Sequence, residues 1–384
     1  MAILCLKILF HLHIDPSSDE FTNVDFCPAC YGNDLCPQFF HGEVSLLGIS
    51  KLKYLKNSKN VFFGKLSSNR VILKKLAHDS EILNMDKLLC KKANLKPCKP
   101  NEAVRLLTLK AIEPPNDYHL MNLIKVFEPS TDITRCPSER LLTYLYNQLN
   151  AKRNFIEFEE MEFHQLGQLL YSLLLNPEAI IMQAFSQAEG WPFPQYYGSC
   201  GRVIVEEYVG RTIAYFEDSS WEQRVDISYQ LLLIAQMLTE NASGFALYMT
   251  DVNMDNFAVR PDGTVLLIDV ESIVIVDHMS MKKDPNNQNK LHHSKGEFCK
   301  DCMNFSFEDL CNHNVSDHNY YAICKGLLIP GSYFSSEGLL HDIPKNVDIQ
   351  TNLSHLINEC ANPTKLYNRF QVLPKLLQVL KSLL

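Results

Sequence analysis

The stretch "TDVNMDNFAVRPDGTVLLIDVES", residues 250–272, places acidic and amide side chains around two short apolar runs. The runs Phe257–Val259 and Thr264–Ile268 have the composition that favours strands. Between them, Pro-Asp-Gly at 261–263 is a strong turn signal, because glycine readily adopts the positive φ that tight hairpins need. The sequence therefore predicts a β-hairpin at this point of the chain.

Three oxygen-bearing side chains flank the predicted hairpin: Asp251, Asn256 and Asp269. A turn centred between residues 262 and 263 would place Asn256 opposite Asp269, and Asp251 in the preceding loop can reach the same end of the hairpin. A turn role would explain Asp251 but not an acid that ends the apolar run "VLLID". Carboxylate and amide oxygens suit Mg²⁺, so the pattern predicts a site for a metal ion and phosphates.

The spacing of these side chains resembles that of protein kinases. Asp251 and Asn256 have the five-residue step of the kinase catalytic loop, and Asp269 follows Asp251 by eighteen residues, near where the D-F-G aspartate would stand. The resemblance implies that Asp251 accepts the proton of the attacking hydroxyl. It also implies that Asn256 and Asp269 hold Mg²⁺ or Mn²⁺ on the phosphates of ATP.

An upstream strand offers the lysine that such a site needs. "VILK" (71–74) resembles the kinase V-A-I-K strand, with Lys74 as the catalytic, phosphate-binding lysine and Lys75 as the competing candidate on the other face. Glu81, at the start of the following helix, is the first candidate for the acidic partner of Lys74. Another acid is the alternative, because Glu81 lies close to Lys74 in sequence.

The surrounding elements follow the order found in kinases. "VIVEEYVG" (203–210) predicts the strand before the hinge, where backbone groups from Glu206 to Tyr208 would meet the adenine. A capping box and apolar spacing predict a helix over 219–239, directly before the Asp251 loop. The remaining predictions are a hairpin within 60–76, helices over 79–93 and 158–175, and a strand over 179–185.

Composition excludes some classes of protein. The 384 residues are 46% hydrophobic and 21% charged, which is typical of a globular chain with a sizeable core. The net charge of −8 provides no basic surface for nucleic acid, so no nucleic-acid partner is expected. Beyond the N-terminus, no apolar run reaches the roughly 20 residues of a membrane span, so no transmembrane span is expected.

The N-terminus and the cysteines indicate the secretory pathway. The segment "MAILCLKILFHLHI" is an imperfect apolar leader, so residues 1–20 are a candidate signal peptide. Thirteen cysteines are many for a cytosolic chain, and twelve would remain after cleavage, enough for six disulfides. We therefore expect an ER or Golgi lumenal, or secreted, protein. The chain also has four N-glycosylation sequons, each a weak signal of a glycoprotein: Asn241, Asn304, Asn314 and Asn352.

Two C-x-x-C pairs have the spacing of zinc half-sites as well as of disulfides. Cys27 and Cys30 are followed by Cys36, and no second C-x-x-C lies nearby, so a disulfide knot is favoured over zinc. Cys299 and Cys302 are expected to form a disulfide, with a redox pair or a zinc site as the alternatives.

Five segments together resemble the divergent protein kinase domain family, most closely its secreted deleted-in-autism branch, divergent protein kinase domain 2. They are "CPACYGNDLC", "GWPFPQYYGSCGR", "FALYMTDVNMDNFAV", "DHNYYAIC" and "NECANP", and the match runs from about residue 25 to 375. The resemblance implies a disulfide-stabilised α+β, bilobal protein-kinase-like fold with a small β-rich N-lobe and a mainly helical C-lobe. Residues 25–200 would form a Cys-rich head and the N-lobe, and 201–380 the hinge and C-lobe. Asp317 would anchor the catalytic loop or cap its helix.

The chain also departs from the kinase pattern. Met249-Thr250 replace His-Arg, Asn253 replaces the usual loop lysine, and Val270-Glu271 replace Phe-Gly. No G-x-G-x-x-G precedes "VILK", and no A-P-E follows. Two hypotheses therefore stand. One is a kinase that transfers the ATP γ-phosphoryl to a protein or glycan hydroxyl, and the other is a secreted pseudokinase that acts as a ligand for a cell-surface receptor or as a scaffold.

Overall fold

The structure of the protein, a computed structural model, describes residues 13–51, 60–112, 131–149, 163–281, 291–294, 303–330, 337–365 and 368–384. The chain divides into two compact units, one of Met1–Thr131 with Leu142–Tyr208 and one of Asp132–Leu141 with Val209–Leu384. Cys299, Cys302 and the first twelve residues of the candidate leader lie outside the described residues.

The described elements are as follows in chain order. The strands are β1 (Val44–Leu46), β2 (Val61–Leu66), β3 (Asn69–Lys75), β4 (Tyr196–Cys200), β5 (Val203–Glu207), β6 (Arg211–Thr212), β7 (Phe245–Met249), β8 (Phe257–Val259), β9 (Val265–Leu267), β10 (Ile273–Asp277), β11 (Leu291–His292) and β12 (Val315–Ser316). The helices are α1 (Asp19–Thr22), α2 (Cys36–Phe40), α3 (Asp79–Lys92), α4 (Pro100–Ile112), α5 (Glu139–Leu149), α6 (Phe163–Leu175), α7 (Glu178–Ala184), α8 (Trp221–Thr239), α9 (His278–Met281), α10 (Phe307–Asn312), α11 (His318–Ile323), α12 (Lys345–Thr351), α13 (Leu353–Ala361) and α14 (Asn368–Ser382).

The first unit is built on an antiparallel sheet with the strand order β1-β2-β3-β5-β4 in the described residues. The predicted hairpin is confirmed, because β2 and β3 pair through a two-residue turn at Ser67–Ser68. One face of β3 buries Val71 and Leu73 in a core with Phe39 of α2. Alternation along the strand therefore assigns Lys74 to the opposite face of the sheet.

One element of this unit differs from its prediction. The segment 179–185 was expected as a strand, but Glu178–Ala184 form helix α7. The segment is apolar almost throughout, and a short apolar run fits a buried helix as well as a buried strand. All but one of the α7 residues are buried, so no polar face reveals the helical period to the sequence.

The second unit combines small antiparallel sheets with helices. Strand β7 pairs with β10, and β8 lies between β6 and β9. The predicted 219–239 helix is confirmed as α8, whose N-cap Ser220 accepts a hydrogen bond from the backbone of Gln223. Helix α8 contacts α11 and α14, and it precedes β7 and the Asp251 loop.

Disulfides reinforce both units. Disulfides were favoured over zinc for Cys27, Cys30 and Cys36, and they form: Cys27 bonds to Cys30, and Cys36 bonds to Cys200. The other bridges among the described residues are Cys90–Cys98, Cys136–Cys311 and Cys324–Cys360. The described chain is thus an α+β fold with an early antiparallel sheet, a helical later part and several disulfides. Within the described residues, no helix is both long and apolar enough to cross a membrane.

Candidate functional site

The hairpin after Asp251 forms as predicted, but its register is shifted by one residue. Phe257 pairs with Leu267, and the backbone N–H of Ile268 donates to the carbonyl of Asn256 at 2.8 Å. Asn256 therefore lies opposite Ile268, and the predicted Asn256–Asp269 pairing is wrong. The cause is a longer turn, closed by Arg260 N–H donating to the Thr264 carbonyl at 2.8 Å, in which Gly263 adopts a φ of +89°.

Asp269 nevertheless stays at the open end of the hairpin. It follows Ile268, whose N–H is bonded to Asn256, and its side chain is half-buried. Its Oδ1 accepts a hydrogen bond from the backbone N–H of Glu271 at 3.4 Å. The pairing thus brings the backbones of Asn256 and Asp269 to one end of the hairpin. The two residues are not directly opposite each other, because Asp269 lies one residue beyond the partner of Asn256.

The Asp251 loop places a buried amide beside an exposed acid. Asn256 is 2% exposed, and its Nδ2 donates to the Asp251 carbonyl at 3.2 Å and to Asp251 Oδ2 at 3.3 Å. Asn253 Nδ2 donates to the other carboxylate oxygen, Oδ1, at 3.3 Å. A short helical turn, Met254–Asn256, closes the five-residue step between Asp251 and Asn256. These bonds orient the Asp251 carboxylate while leaving it accessible.

The start of α11 anchors the strand that leads into this loop. Asn319 Oδ1 accepts a hydrogen bond from the Met249 N–H at 3.0 Å, and His318 Nε2 donates to the Met249 carbonyl at 2.8 Å. Both side chains are fully buried. Sequence reasoning missed them, since a histidine and an asparagine in "DHNYYAIC" resemble ordinary packing or surface residues. The only available signal was the density of polar residues at the start of an otherwise apolar helix.

Asp317 takes neither of the roles expected for it. Its side chain makes no capping bond to α11. Instead, the buried carboxylate accepts from Arg369 Nη1 at 2.9 Å and from the Ser294 N–H at 2.8 Å. Asp317 therefore ties α14 to the start of α11, one residue before the side chains that hold Met249.

Protonation of His318 should weaken the fold. Burial lowers the pKa of His318 to about 4, whereas a histidine in the unfolded chain has a pKa of about 6.5. Between these two pH values the native state keeps the imidazole neutral and the unfolded chain binds a proton. The His318 contribution to the free energy of unfolding is therefore complete above pH 6.5 and declines as the pH falls towards 4, by roughly 3 kcal/mol in total. Denaturant unfolding of the wild-type chain and of His318→Gln at several pH values measures it. The free energy of unfolding should decline less for His318→Gln than for the wild type as the pH falls. Equal declines would contradict the proposed effect of His318 protonation.

Lys74 lies between two acids in the first unit. Its Nζ is 2.7 Å from Glu178 Oε1 and 3.0 Å from Glu206 Oε1. The exposed fractions of the three side chains are 12%, 3% and 2%. Glu178 is the first residue of α7, and its N–H donates to Asn176 Oδ1 at 2.9 Å. The lysine predicted for phosphates is thus partly buried and is oriented by two buried carboxylates.

Glu178 was missed because it follows Lys74 by 104 residues and precedes a segment expected to be a strand. The first candidate, Glu81, does not take this place. Its Oε2 accepts the His78 N–H at 2.6 Å in the capping box of α3. The geometry therefore favours the alternative that an acid other than Glu81 is the partner of Lys74.

Two other predicted residues, Lys75 and Tyr208, make contacts of their own. Lys75 points to the other face, where its Nζ donates to the Glu20 carbonyl at 2.7 Å, and burial lowers its pKa to about 8. Tyr208 follows β5 directly. Its ring lies under the Arg70 guanidinium at 4.4 Å and edge-on to Phe63 at 5.8 Å.

Asn256 and Asp269 stay predicted ligands of a metal ion that is shared with phosphates. Among the described residues, no group of three or more His, Cys, Asp or Glu side chains is arranged to hold a metal ion. Asp251, Asn256 and Asp269 offer two carboxylates and an amide, and the Asn256 nitrogen donates to Asp251. Such an oxygen set suits Mg²⁺ or Mn²⁺ that takes its other ligands from nucleotide phosphates and water.

Comparison with known proteins gives consistent matches. Residues 170–363 match the family described as "Protein-kinase domain of FAM69". The chain is 37% identical over 380 residues to Divergent protein kinase domain 2A of Xenopus tropicalis, covering 95% of this chain and 88% of that protein. The human protein of that name is 36% identical over 393 residues, with the same coverages. Divergent protein kinase domain 2B of Mus musculus is 29% identical over 280 residues, covering 67% of this chain and 61% of that protein.

Proposed function

The chain belongs to the divergent protein kinase domain 2 family, and from that premise we propose that it transfers the γ-phosphoryl group of ATP to a protein or glycan hydroxyl. The proposal includes a bilobal protein-kinase-like fold and a place in the ER or Golgi lumen or outside the cell. The observation that carries it is the ion pair of Lys74 with the buried Glu178 at 2.7 Å, since kinases need a lysine held in place by a glutamate to bind nucleotide phosphates.

The predicted residues other than Glu81 have the following roles in this proposal. Lys74 binds the α- and β-phosphates, and backbone groups from Glu206 to Tyr208 meet the adenine. Asp251, held by the two asparagine amides, accepts the proton of the attacking hydroxyl. Asn256 and Asp269 would hold Mg²⁺ or Mn²⁺, which neutralises phosphate charge when it is bound.

Replacing Lys74 by methionine tests the nucleotide site. We expect ATP with Mn²⁺ to raise the melting temperature of the wild-type protein, because a ligand that binds only the folded state stabilises it. Lys74→Met should weaken ATP binding by at least about tenfold through loss of a buried charge-assisted contact. Calorimetric titration gives the affinities. Lys75→Met is the matched control and should bind like the wild type, since Lys75 contacts Glu20 on the other face. Absence of wild-type binding, or equal binding by Lys74→Met, would contradict the proposal.

One observation favours the second candidate, a secreted pseudokinase that acts as a receptor ligand or scaffold. The Asn253 amide, 3.3 Å from Asp251 Oδ1, stands where kinases carry a lysine, so it supplies no positive charge for the transferred phosphoryl group. A turnover assay with γ-labelled ATP separates the candidates. Label transfer to acceptor or water supports the kinase, whereas nucleotide binding without turnover supports the pseudokinase.

The proposed compartment predicts where a glycan can be carried. Asn352 is exposed at the junction of α12 and α13, with a φ of +55°. Asn241 Nδ2 instead donates to the carbonyls of Phe245 at 2.8 Å and Met237 at 3.1 Å, contacts that a sugar on this nitrogen would disrupt. In protein secreted from animal cells, Asn352→Gln should remove a mass that peptide-N-glycosidase also removes. Asn241→Gln should not, and a glycan found at Asn241 would contradict this prediction.

A further inference from the structure

Glu206 has two relations to the candidate nucleotide site. Its backbone belongs to the strand that ends at the proposed hinge, and its side chain points to the same face as Lys74. In the register of β3 and β5, Lys74 pairs with Ile204 and Ile72 pairs with Glu206, so Lys74 and Glu206 are diagonal neighbours on one face. The long side chains bridge this diagonal, with Lys74 Nζ 3.0 Å from Glu206 Oε1.

Two acids share the ammonium group of Lys74. One ammonium group contacts two carboxylates, those of Glu178 and Glu206, and both carboxylates are almost completely buried. A kinase-type lysine needs one acid to orient it. Glu178 meets that need at the shorter distance, 2.7 Å, and from a helix outside the sheet. The carboxylate of Glu206 is the additional charge.

An additional carboxylate at this place opposes an incoming phosphate in two ways. It occupies part of the hydrogen-bonding capacity of the Lys74 ammonium, which has three donors in total. It also repels the phosphate, because like charges set against each other in a buried site are costly. A phosphate that binds Lys74 must therefore compete with Glu206.

We propose that Glu206 competes with the nucleotide phosphates for Lys74 and so keeps the nucleotide affinity of this chain low. The inference rests on the proposed function, which places the ATP phosphates at Lys74. It makes Glu206 a residue that sets affinity through its side chain, in addition to the backbone role proposed above. Loss of the Glu206 charge should release Lys74 for phosphate while Glu178 continues to orient it.

The experiment compares ATP binding by the wild type, Glu206→Gln and Glu206→Met. Calorimetric titration with ATP and Mn²⁺ gives the affinity, and a melting curve without nucleotide shows that each variant is folded. Both variants should bind ATP at least about fivefold more tightly than the wild type, because a like charge next to the phosphates is removed. Glutamine preserves the shape of the side chain, and methionine removes its remaining polarity in case glutamine retains the Lys74 contact.

Two controls separate the local effect from general ones. Glu43→Gln removes the same charge at the exposed start of β1, where Glu43 Oε2 accepts from Ser67 at 3.1 Å, and it should bind ATP like the wild type. Glu178→Gln should weaken binding, because it removes the acid that orients Lys74.

The outcomes distinguish failure of this inference from failure of the proposed function. Tighter binding of ATP by the Glu206 variants than by the wild type supports the inference. Binding by the wild type that is equal to or stronger than that of folded Glu206 variants overturns the inference and leaves the proposed function standing. If the wild type and both folded variants all fail to bind ATP, the proposed function is overturned together with the inference.

Discussion

Asp251→Asn should lower the rate of phosphoryl transfer by about 10²–10⁴-fold, the usual contribution of a general base, while ATP binds nearly as in the wild type. Asparagine has the shape of aspartate but cannot accept the proton of the attacking hydroxyl. The Asp251 carboxylate is exposed and receives amide hydrogen bonds at both oxygens, from Asn253 and Asn256. These contacts orient the carboxylate towards an acceptor.

The measurement is γ-labelled ATP turnover together with calorimetric ATP binding. Asp255→Asn is the matched control, since Asp255 lies in the same exposed loop but contacts the Thr212 hydroxyl at 3.0 Å. It should retain wild-type turnover. Undiminished transfer by Asp251→Asn would exclude Asp251 as the base, and a wild-type chain that binds ATP without any turnover would favour the pseudokinase.

Arg369→Met should lower the free energy of unfolding by about 3–5 kcal/mol, the usual result when one member of a buried ion pair is removed. Arg369 and Asp317 are 2% and 0% exposed at the side chain, with Nη1 and Oδ2 2.9 Å apart. The arginine also donates from Nε to the Cys360 carbonyl at 2.7 Å and from Nη1 to the Ser294 carbonyl at 2.8 Å. Its loss would leave a buried carboxylate and several carbonyls with fewer donors.

Denaturant unfolding at neutral pH measures this loss. The double variant Asp317→Asn with Arg369→Met should recover part of the stability, because it also removes the buried charge, whose remaining side-chain partner is His293 at 3.0 Å. Lys99→Met is the control for an exposed pair. Lys99 and Glu102 are 68% and 44% exposed and 3.9 Å apart, so that change should stay within about 0.5 kcal/mol of the wild type. A similarly small effect of Arg369→Met would show that Asp317 does not depend on this partner.

The predictions that succeeded depend on local chemistry. The 219–239 helix follows from a capping serine and an apolar stripe, and both are properties of a few neighbouring residues. The hairpins at 60–76 and after Asp251 follow from turn residues between short apolar runs. The five-residue step from Asp251 to Asn256 is likewise local, because one short helical turn joins the two side chains.

The predictions that failed depend on more than local pattern. The hairpin register depends on the length of the turn that contains Gly263, which has one residue more than predicted. The same sequence is compatible with either turn length. Helix 178–184 is buried nearly all round, so its sequence carries no period that separates it from a strand. The misassignment of that segment also concealed Glu178 as a partner of Lys74.

Residue types alone identify the turns, caps and strands, and with them Lys74, Asp251, Asn256 and Asp269 as candidates. The distant groups that meet these residues are known only from the folded units: Glu178 and Glu206 contact Lys74, and His318 and Asn319 hold the strand before the Asp251 loop. A turn or a cap is favoured by the few residues that form it. A buried polar contact forms only when the packing of the whole unit brings together groups that are far apart along the chain.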